Sequence, residues 1–352
     1  GGGITACVLA RAGMRVVCLE QGGWTGPADH PHGSHDWEWR RQTDWATEPN
    51  LRRGPDDYPV ETADERTLMW NGVGGSSVIY TALWPRFRPS DFRKGREHGL
   101  APDWPIAYED LADTYDRSDL LLGASGLPGD PALPPRGPYA TPPLPLGRSG
   151  RAIARGFERL GWHWWPFPSA VISEAYDGRP GCNHCGNCVS GCPRGSLADL
   201  SFSLWPKALA AGCELRTHAR AQRIETDAQG RATAVVYLDR ASGTVRRQRA
   251  SVVVLAANGV GTPRLLLLSA GGRYPGGLAN ASGKVGRGLM HHTLVAAEYW
   301  LDEAIDAHIG SVGAVISAEF AETDPARGFV NGFNINVVRT AGPGGHAAGL
   351  FS

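Results

Sequence analysis

The chain is poor in lysine and carries no net charge. Only three of its 35 basic residues are lysines, and 35 acidic residues balance them. No run of basic residues stands out, which argues against a nucleic-acid-binding surface. No apolar run approaches the roughly 20 residues that cross a bilayer, so no membrane span is predicted. The length of 352 residues, 42% of them hydrophobic, suffices for one large or two ordinary domains.

The first 22 residues have the pattern of a dinucleotide-binding unit. Gly1, Gly3 and Ala6 fit the spacing G-x-G-x-x-G/A, in which glycine lets the backbone approach a pyrophosphate. A helix is predicted over 4–12, and its N-terminus offers free amides and partial positive charge to the phosphates. A short buried strand over 14–19 ends at Glu20, where an acidic residue binds a ribose hydroxyl. A glycine run alone is also typical of a flexible terminus, but the helix, strand and Glu20 favour a dinucleotide site.

The rest of the chain divides into a mostly helical and a mostly extended part. Hydrophobic periodicity predicts helices over 108–122, 152–160 and 204–211. Polar residues 23–66 are predicted to form a long surface excursion, and residues 123–149, rich in Pro and Gly, an irregular loop. From residue 213 onward, strands are predicted over 214–217, 221–226, 232–239 and 245–248, forming an antiparallel meander.

The segment 250–257, ASVVVLAA, is continuously apolar, as expected of a strand inside a parallel sheet. It leads into a third glycine-containing turn at 258–263 and a leucine-rich helix through 269. The chain is therefore predicted to return to its first sheet after a long insertion. Pro263 is compatible with the first turn of a helix that binds no ligand.

Four of the seven cysteines fall within eleven residues. Cys182, Cys185, Cys188 and Cys192 follow the C-x₂-C-x₂-C-x₃-C-P run of bacterial ferredoxins. An iron–sulfur cluster is the first interpretation. A structural zinc site, disulfides in an exported protein and reduced thiols are the alternatives, and iron with acid-labile sulfide analysis distinguishes them. Cys7, Cys18 and Cys213 lie in apolar elements and are interpreted as buried packing residues.

Taken together, these segments resemble the glucose–methanol–choline (GMC) family of FAD-dependent oxidoreductases. The resemblance rests on the first glycine turn, on NGVGGSS at 71–77, on DWPI at 103–106 with the following helix, and on GVGTPRLLLLS at 259–269 with VGRGLMH at 285–291. It covers residues 1–295. It implies an α/β fold with a Rossmann-like, three-layer FAD-binding domain and an inserted, partly antiparallel substrate or cap region.

The resemblance also implies a set of cofactor-binding residues. Gly1, Gly2 and Gly3 would face the FAD pyrophosphate and Glu20 the adenosine ribose. The remaining expected FAD-binding residues are Asn71, Gly74, Gly75, Ser76, Ala221, Asn258 and Gly259. Many members of the family have Asn at the position of Tyr80, and no histidine nearby suggests a covalent link, so non-covalent FAD is expected.

The resemblance implies a domain organisation as well. Residues 1–100 and 205–290 are expected to form a discontinuous FAD-binding domain, 101–204 an insertion with the cysteines, and 291–352 the start of a substrate-binding domain. A strand before Gly1 and the catalytic base after Ser352 are expected outside this sequence, so residues 1–352 alone are expected to be inactive. His291, His292 and His346 are not placed in the catalytic role by the resemblance.

The implied reaction is oxidation of a CH–OH group in a sugar, polyol or other alcohol, by hydride transfer to flavin N5. Electrons would pass to an external acceptor. If the iron–sulfur cluster is present, this acceptor is interpreted as a cytochrome or a small partner subunit. The alternatives are an oxygen-using alcohol oxidase with structural cysteines and a non-catalytic flavin or iron–sulfur electron-transfer subunit. A cytoplasmic or a periplasmic location remains open, because an export signal would precede Gly1.

Overall fold

The computed structural model describes residues 1–26, 70–186, 188–299 and 301–339. In chain order its helices are α1 (Gly2–Arg11), α2 (Lys94–His98), α3 (Glu109–Leu122), α4 (Gly147–Leu160), α5 (Leu200–Ser203), α6 (Trp205–Ala210) and α7 (Asn258–Leu268). Its strands are β1 (Val17–Leu19), β2 (Trp165–Pro166), β3 (Glu214–Arg216), β4 (Ala219–Thr226), β5 (Ala232–Asp239), β6 (Thr244–Arg249), β7 (Gly313–Ser317) and β8 (Ile335–Val338). This mixture of helices and sheets is consistent with the predicted α/β class.

The chain forms two compact units, each discontinuous in sequence. The described residues of the first unit are 1–25, 70–76 and 200–299, and those of the second are 26, 77–186, 188–199 and 301–339. The predicted domain boundaries at 100, 205 and 290 differ from the bounds of these compact units. The division into FAD-binding and substrate-binding domains stays a prediction. Most of the predicted surface excursion at 23–66 lies outside the described residues.

In the first unit, β1 and β3 form a parallel pair, with Val17 opposite Glu214 and Leu19 opposite Arg216. The interpretation of residues 214–217 as part of the meander was therefore wrong. His218 follows β3 with φ 55°, and its amide donates to the carbonyl of Gly22. This left-handed residue redirects the chain between β3 and β4, so the two consecutive strands join different sheets.

The antiparallel meander itself is confirmed for the other three strands. The sheet order is β4-β5-β6, and Ala221 lies opposite Tyr237 immediately before a register shift at Arg223. The predicted bounds of β5 match the observed ones, and those of β4 and β6 are within two residues. The local alternation of apolar and polar residues was sufficient to predict these three strands, because strands that are neighbours in the sheet also follow one another closely in sequence.

The apolar segment 250–257 is not a strand, so that prediction was wrong. Val252 is 68% exposed and Val254 is 54% exposed. An apolar run predicts a buried strand only where neighbouring elements cover it, and among the described residues no strand pairs with this segment.

In the second unit, helix α4 packs against the three-stranded sheet β2-β7-β8. Phe157 of α4 forms a buried cluster with Ala314 and Val315 of β7, and Trp162 and Ile335 pack around it. The helix begins five residues before the predicted residue 152, because its first turn is rich in glycine and serine and resembles the preceding loop. A side chain at Gly150 would approach the Ala314 side chain to 3.1 Å, so tertiary packing accounts for this glycine.

The predicted helix over 108–122 is confirmed within one residue by α3. Its buried face carries Asp119, which is 1% exposed. The Asp119 carboxylate accepts hydrogen bonds from the Trp84 indole at 2.7 Å and from the guanidinium groups of Arg86 and Arg136, the latter at 2.6 Å. These hydrogen bonds join α3 to the loop that carries Trp84 and Arg86 and to the loop that carries Arg136.

Within the parts of the chain that the structure describes, no helix is both long and apolar enough to cross a bilayer.

Candidate functional site

The first glycine turn opens helix α1. The helix begins at Gly2, and no side chain caps it and no acidic residue lies in its first turn. The first amides of a helix have no intrahelical partner, so this end offers donors and partial positive charge to an anion. Gly3 is buried, and a Cβ there would lie 3.1 Å from Leu200 and 3.3 Å from the Trp205 indole nitrogen. The glycine therefore permits close packing of α1 on α5 and α6.

The N-terminus of α7 lies beside that of α1. The Ala256 methyl group is 3.9 Å from the position of a Cβ on Gly1 and 3.3 Å from one on Gly2. Asn258, with φ 61°, accepts hydrogen bonds from Val260 and Gly261 through its side-chain oxygen, at 2.8 and 2.9 Å. Two amides in the first turn of α7 thus donate to the Asn258 side chain, whereas no side chain caps the first turn of α1.

Asn258 and Gly259 therefore open α7, as predicted for a turn, and Asn258 has a defined local role. Pro263 is inside the helix rather than in its first turn, which corrects that part of the interpretation. A Cβ on Gly259 would meet no atom within 4 Å, so the backbone there is open on one side.

Glu20 is fixed at the C-terminal end of β1. Its amide donates to Arg216 at 2.9 Å, and its carbonyl accepts from Ala219 at 2.8 Å. One side-chain oxygen accepts from the amide of Gly22 at 2.9 Å. A short connection of five residues, 12–16, joins α1 to β1.

The second glycine turn, NGVGGSS at 71–77, packs against the residues that follow Glu20. A Cβ at Gly22 would lie 2.2 Å from the Asn71 carbonyl oxygen, so only glycine fits there. The Gln21 side chain donates to the Asn71 side chain at 2.5 Å, and Val73 donates to the Gly23 carbonyl at 3.0 Å. These contacts hold the turn beside the end of β1.

The remaining predicted residues of this turn complete a strongly curved backbone. Gly74 and Gly75 have φ of 101° and 59°, and a 3₁₀ turn follows at Gly75–Val78. The Ser76 hydroxyl accepts from the Trp70 amide at 3.4 Å. Ala221 lies in β4, two residues after the one that bonds to Glu20. The first unit therefore gathers Glu20, Asn71 and the second glycine turn around β1, and Gly1 to Gly3 around the start of α7.

Sequence reasoning missed two contributors to this arrangement. The pair Gly22–Gly23, directly after Glu20, was a local signal for a close backbone contact. Ala256 gave no signal, because its role depends on a helix that begins 254 positions earlier in the sequence, at Gly2.

The four clustered cysteines lie in the second unit and line one small cavity. Cys182, Cys185, Cys188 and Cys192 surround a volume of about 10 Å³, with Leu197 and Gly310 among the other lining residues. All four are free thiols. Burial, together with the three other thiols, raises the pKa of Cys188 to about 12. Burial also raises the pKa of Cys182, although the His184 amide donates to its sulfur at 3.3 Å.

The cavity does not support the predicted iron–sulfur cluster. Among the described residues, no three or more His, Cys, Asp or Glu side chains are arranged to hold a metal ion.

The three other cysteines have the environment that the sequence analysis predicts for packing residues. Cys7 and Cys213 are buried and Cys18 is half-buried. Burial, with Glu20 nearby, raises the pKa of Cys18 to about 12, as expected for an inert packing thiol.

Tyr80 and the histidines do not form a recognisable catalytic group. The Tyr80 hydroxyl donates to the Ala198 carbonyl at 3.4 Å, and burial raises its pKa, so it remains a neutral donor. His291 and His292 are exposed. His346 lies outside the described residues.

The glycine turn that opens α1, the acidic residue after β1 and the second glycine turn follow the pattern of dinucleotide-binding α/β proteins. The family model described as "GMC oxidoreductase" matches residues 1–294. The chain belongs to the GMC oxidoreductase family, and the family predicted from the sequence is confirmed.

Three curated relatives illustrate the range of this family. The chain is 46% identical over 347 residues to 2-methyl-1,2-propanediol dehydrogenase of Mycolicibacterium austroafricanum, covering 97% of this chain and 62% of the relative. It is 30% identical over 345 residues to the fructose dehydrogenase large subunit of Gluconobacter japonicus, covering 92% and 62%. It is 32% identical over 303 residues to paromamine 6'-oxidase of Streptomyces fradiae, covering 85% and 52%. The chain thus spans between half and two thirds of the length of these relatives.

Proposed function

We propose that this chain forms the FAD-binding part of an enzyme that oxidises a CH–OH group of an alcohol, polyol or sugar. One observation carries the proposal. The uncapped start of α1, with three glycines, is followed directly along the chain by β1 and Glu20, the order of elements with which α/β folds bind a dinucleotide cofactor.

Each of the expected cofactor-binding residues has a defined task in the proposal. The free amides of Gly1 to Gly3 bind the pyrophosphate, and α1 stabilises its negative charge through the helix dipole. The Glu20 carboxylate accepts a hydrogen bond from a ribose hydroxyl. Asn71, Gly74, Gly75 and Ser76 present a curved backbone along the cofactor, Ala221 contacts the adenine through its backbone, and the open backbone at Asn258 and Gly259 lies near the cofactor. When bound non-covalently, FAD supplies the hydride acceptor.

The first test is FAD binding by Glu20→Gln. The substitution keeps the size of the side chain but removes its charge, and a hydrogen bond to a charged group contributes about 1.5–3 kcal/mol. We expect the dissociation constant for FAD, measured from quenching of flavin fluorescence, to rise about tenfold or more.

Glu214→Gln is the matched control for this test. Glu214 begins β3, at the opposite end of the same two-stranded sheet, and its side chain is 54% exposed and pairs with Arg216. Unchanged FAD affinity is expected for this variant. Equal affinities of the Glu20→Gln variant and the unmodified chain would remove Glu20 from the site, and no FAD binding by the unmodified chain would refute the proposed function.

The dehydrogenase relatives favour an external acceptor, whereas the oxidase relative keeps oxygen as the alternative. In the protein that carries these 352 residues, we expect an alcohol or diol to bleach the bound flavin under anaerobic conditions. An artificial electron acceptor is expected to restore the absorbance faster than oxygen does. Stoichiometric peroxide at a comparable rate would support the oxidase, and failure of every alcohol to bleach the flavin would support a non-catalytic subunit.

A further inference from the structure

The two strands of the parallel pair end at the same edge of their sheet, and the residues that follow them are hydrogen-bonded to one another. Glu20 comes directly after β1, and His218 comes two residues after the end of β3. The Glu20 amide donates to the Arg216 carbonyl at 2.9 Å, and the Ala219 amide donates to the Glu20 carbonyl at 2.8 Å. In open α/β sheets a ligand binds outside the carboxyl ends of the strands. His218 therefore lies beside Glu20, at the end of the sheet where a ligand is expected.

The backbone of His218 is fixed on both sides. Its amide donates to the Gly22 carbonyl at 3.0 Å, and its carbonyl accepts from the Arg240 amide at 2.8 Å. With φ 55°, the residue has a left-handed backbone, which histidine adopts more readily than most residues. These hydrogen bonds hold the Cα of His218 in place, so they also fix the direction in which its side chain leaves the backbone.

The imidazole of His218 lies against the segment that follows Glu20. A Cβ on Gly23 would be 3.2 Å from the Cε1 atom of this ring and 3.3 Å from its Nε2 atom, so glycine at position 23 leaves room for the ring. The Gly23 carbonyl accepts from the Val73 amide at 3.0 Å. The ring thus lies where the segment after Glu20 meets the second glycine turn.

The imidazole has no polar partner in the described part of the chain. His218 is exposed, and its side chain makes no hydrogen bond or ion pair with any described residue. An aromatic ring that is open to solvent beside a nucleotide site offers a stacking surface to a base, and proteins use histidine in this way. Ala221, whose backbone is proposed to contact the adenine, is three residues further along the chain, in β4.

We propose that the His218 ring stacks on the adenine of the cofactor and thereby binds the adenosine end of FAD, an inference that rests on the proposed function. Glu20 accepts a hydrogen bond from the ribose, the backbone of Ala221 contacts the edge of the base, and His218 covers its face. Because stacking requires a base, it contributes to the binding of nucleotides and contributes nothing to the binding of a bare pyrophosphate group.

The test compares ADP with inorganic pyrophosphate as ligands of the protein that carries these 352 residues. Both compounds offer a pyrophosphate group to the start of α1, but only ADP carries an adenosine. The affinity of each compound is obtained from its displacement of bound FAD, followed by the recovery of flavin fluorescence. The affinity for FAD itself is measured by direct titration.

His218→Asn is the principal variant, because asparagine tolerates a left-handed backbone and keeps hydrogen-bonding atoms but has no aromatic ring. We expect the dissociation constants for FAD and ADP to rise about tenfold, the effect of losing one stacked base, and that for pyrophosphate to stay unchanged. His218→Gly, which also suits this backbone, is expected to give the same result.

Gln229→Ala is the matched control for these variants. Gln229 is also exposed, but it follows the other end of β4, in the turn that leads to β5. All three dissociation constants are expected to equal those of the unmodified protein.

Two results would overturn the role of His218. The first is an unchanged ADP affinity in His218→Asn. The second is an equal loss of ADP and pyrophosphate affinity, which would show that the residue acts on the phosphate site or on the local fold and not on the base. Both results leave FAD binding by the unmodified protein in place, whereas the absence of that binding would refute the proposed function itself.

Discussion

Replacing Asp119 by alanine is expected to lower the free energy of unfolding by about 3–5 kcal/mol, the cost of breaking a buried ion pair by removing one partner. The Asp119 side chain is 2% exposed, and those of Arg86 and Arg136 are 5% and 7% exposed. The substitution leaves two buried guanidinium groups without this carboxylate and the Trp84 indole without its acceptor. Arg86 retains Asp116 at 2.6 Å, which limits the loss.

The measurement is urea unfolding followed by tryptophan fluorescence. Glu97→Ala is the surface control, because Glu97 pairs with Arg93 at 3.0 Å on a partly exposed helix and is expected to change stability by less than about 1 kcal/mol. Asp119→Asn, which keeps the size and one acceptor, is expected to lie between the two. If Asp119→Ala and Glu97→Ala had equal effects, the buried network would contribute nothing to stability.

Replacing Gly3 by valine is expected to abolish tight FAD binding. Even the first carbon of a side chain would lie 3.1 Å from Leu200 and 3.3 Å from the Trp205 indole nitrogen, and valine adds two methyl groups. Overpacking of this kind costs about 1–3 kcal/mol and displaces the backbone. Because the same helix N-terminus is proposed to bind the pyrophosphate, the displacement is expected to weaken FAD binding by about ten- to a hundredfold.

Gly156→Ala is the matched control for Gly3→Val. Gly156 lies inside α4, and a Cβ there would meet no atom within 4 Å. This substitution is expected to leave FAD affinity unchanged and to raise stability by about 0.5–1 kcal/mol, since alanine favours a helix over glycine. Flavin content after gel filtration and fluorescence titration measure both variants. Retention of FAD by Gly3→Val at the level of the unmodified chain would contradict the placement of the pyrophosphate.

Local periodicity was sufficient where an element is stabilised mainly by its own neighbours in sequence. Helices α1 and α3 and strands β4 to β6 were predicted within two residues of their observed bounds. The predictions failed where a distant partner decides the conformation. The apolar segment 250–257 lacks a described sheet neighbour, and β3 pairs with β1, almost 200 positions earlier in the sequence.

The candidate site shows the same division. The first glycine turn and Glu20 were found from spacing alone, because the turn, the helix and the strand are contiguous. The requirement for glycine at position 22 depends on the Asn71 carbonyl, and the position of Ala256 beside Gly1 depends on the packing of α7. A sequence motif in one segment does not indicate which distant segment will pack against it in the folded chain.

The sequence by itself determined that the chain is a GMC oxidoreductase, because glycine spacing and the order of motifs are properties of contiguous residues. It also placed four cysteines within eleven residues, a spacing that metal ligands and redox thiols share. Only the tertiary structure decided which of these cysteines are accessible, because burial depends on the segments that pack against the loop. Cys188 is buried, Cys182 and Cys192 are half-buried and Cys185 is exposed.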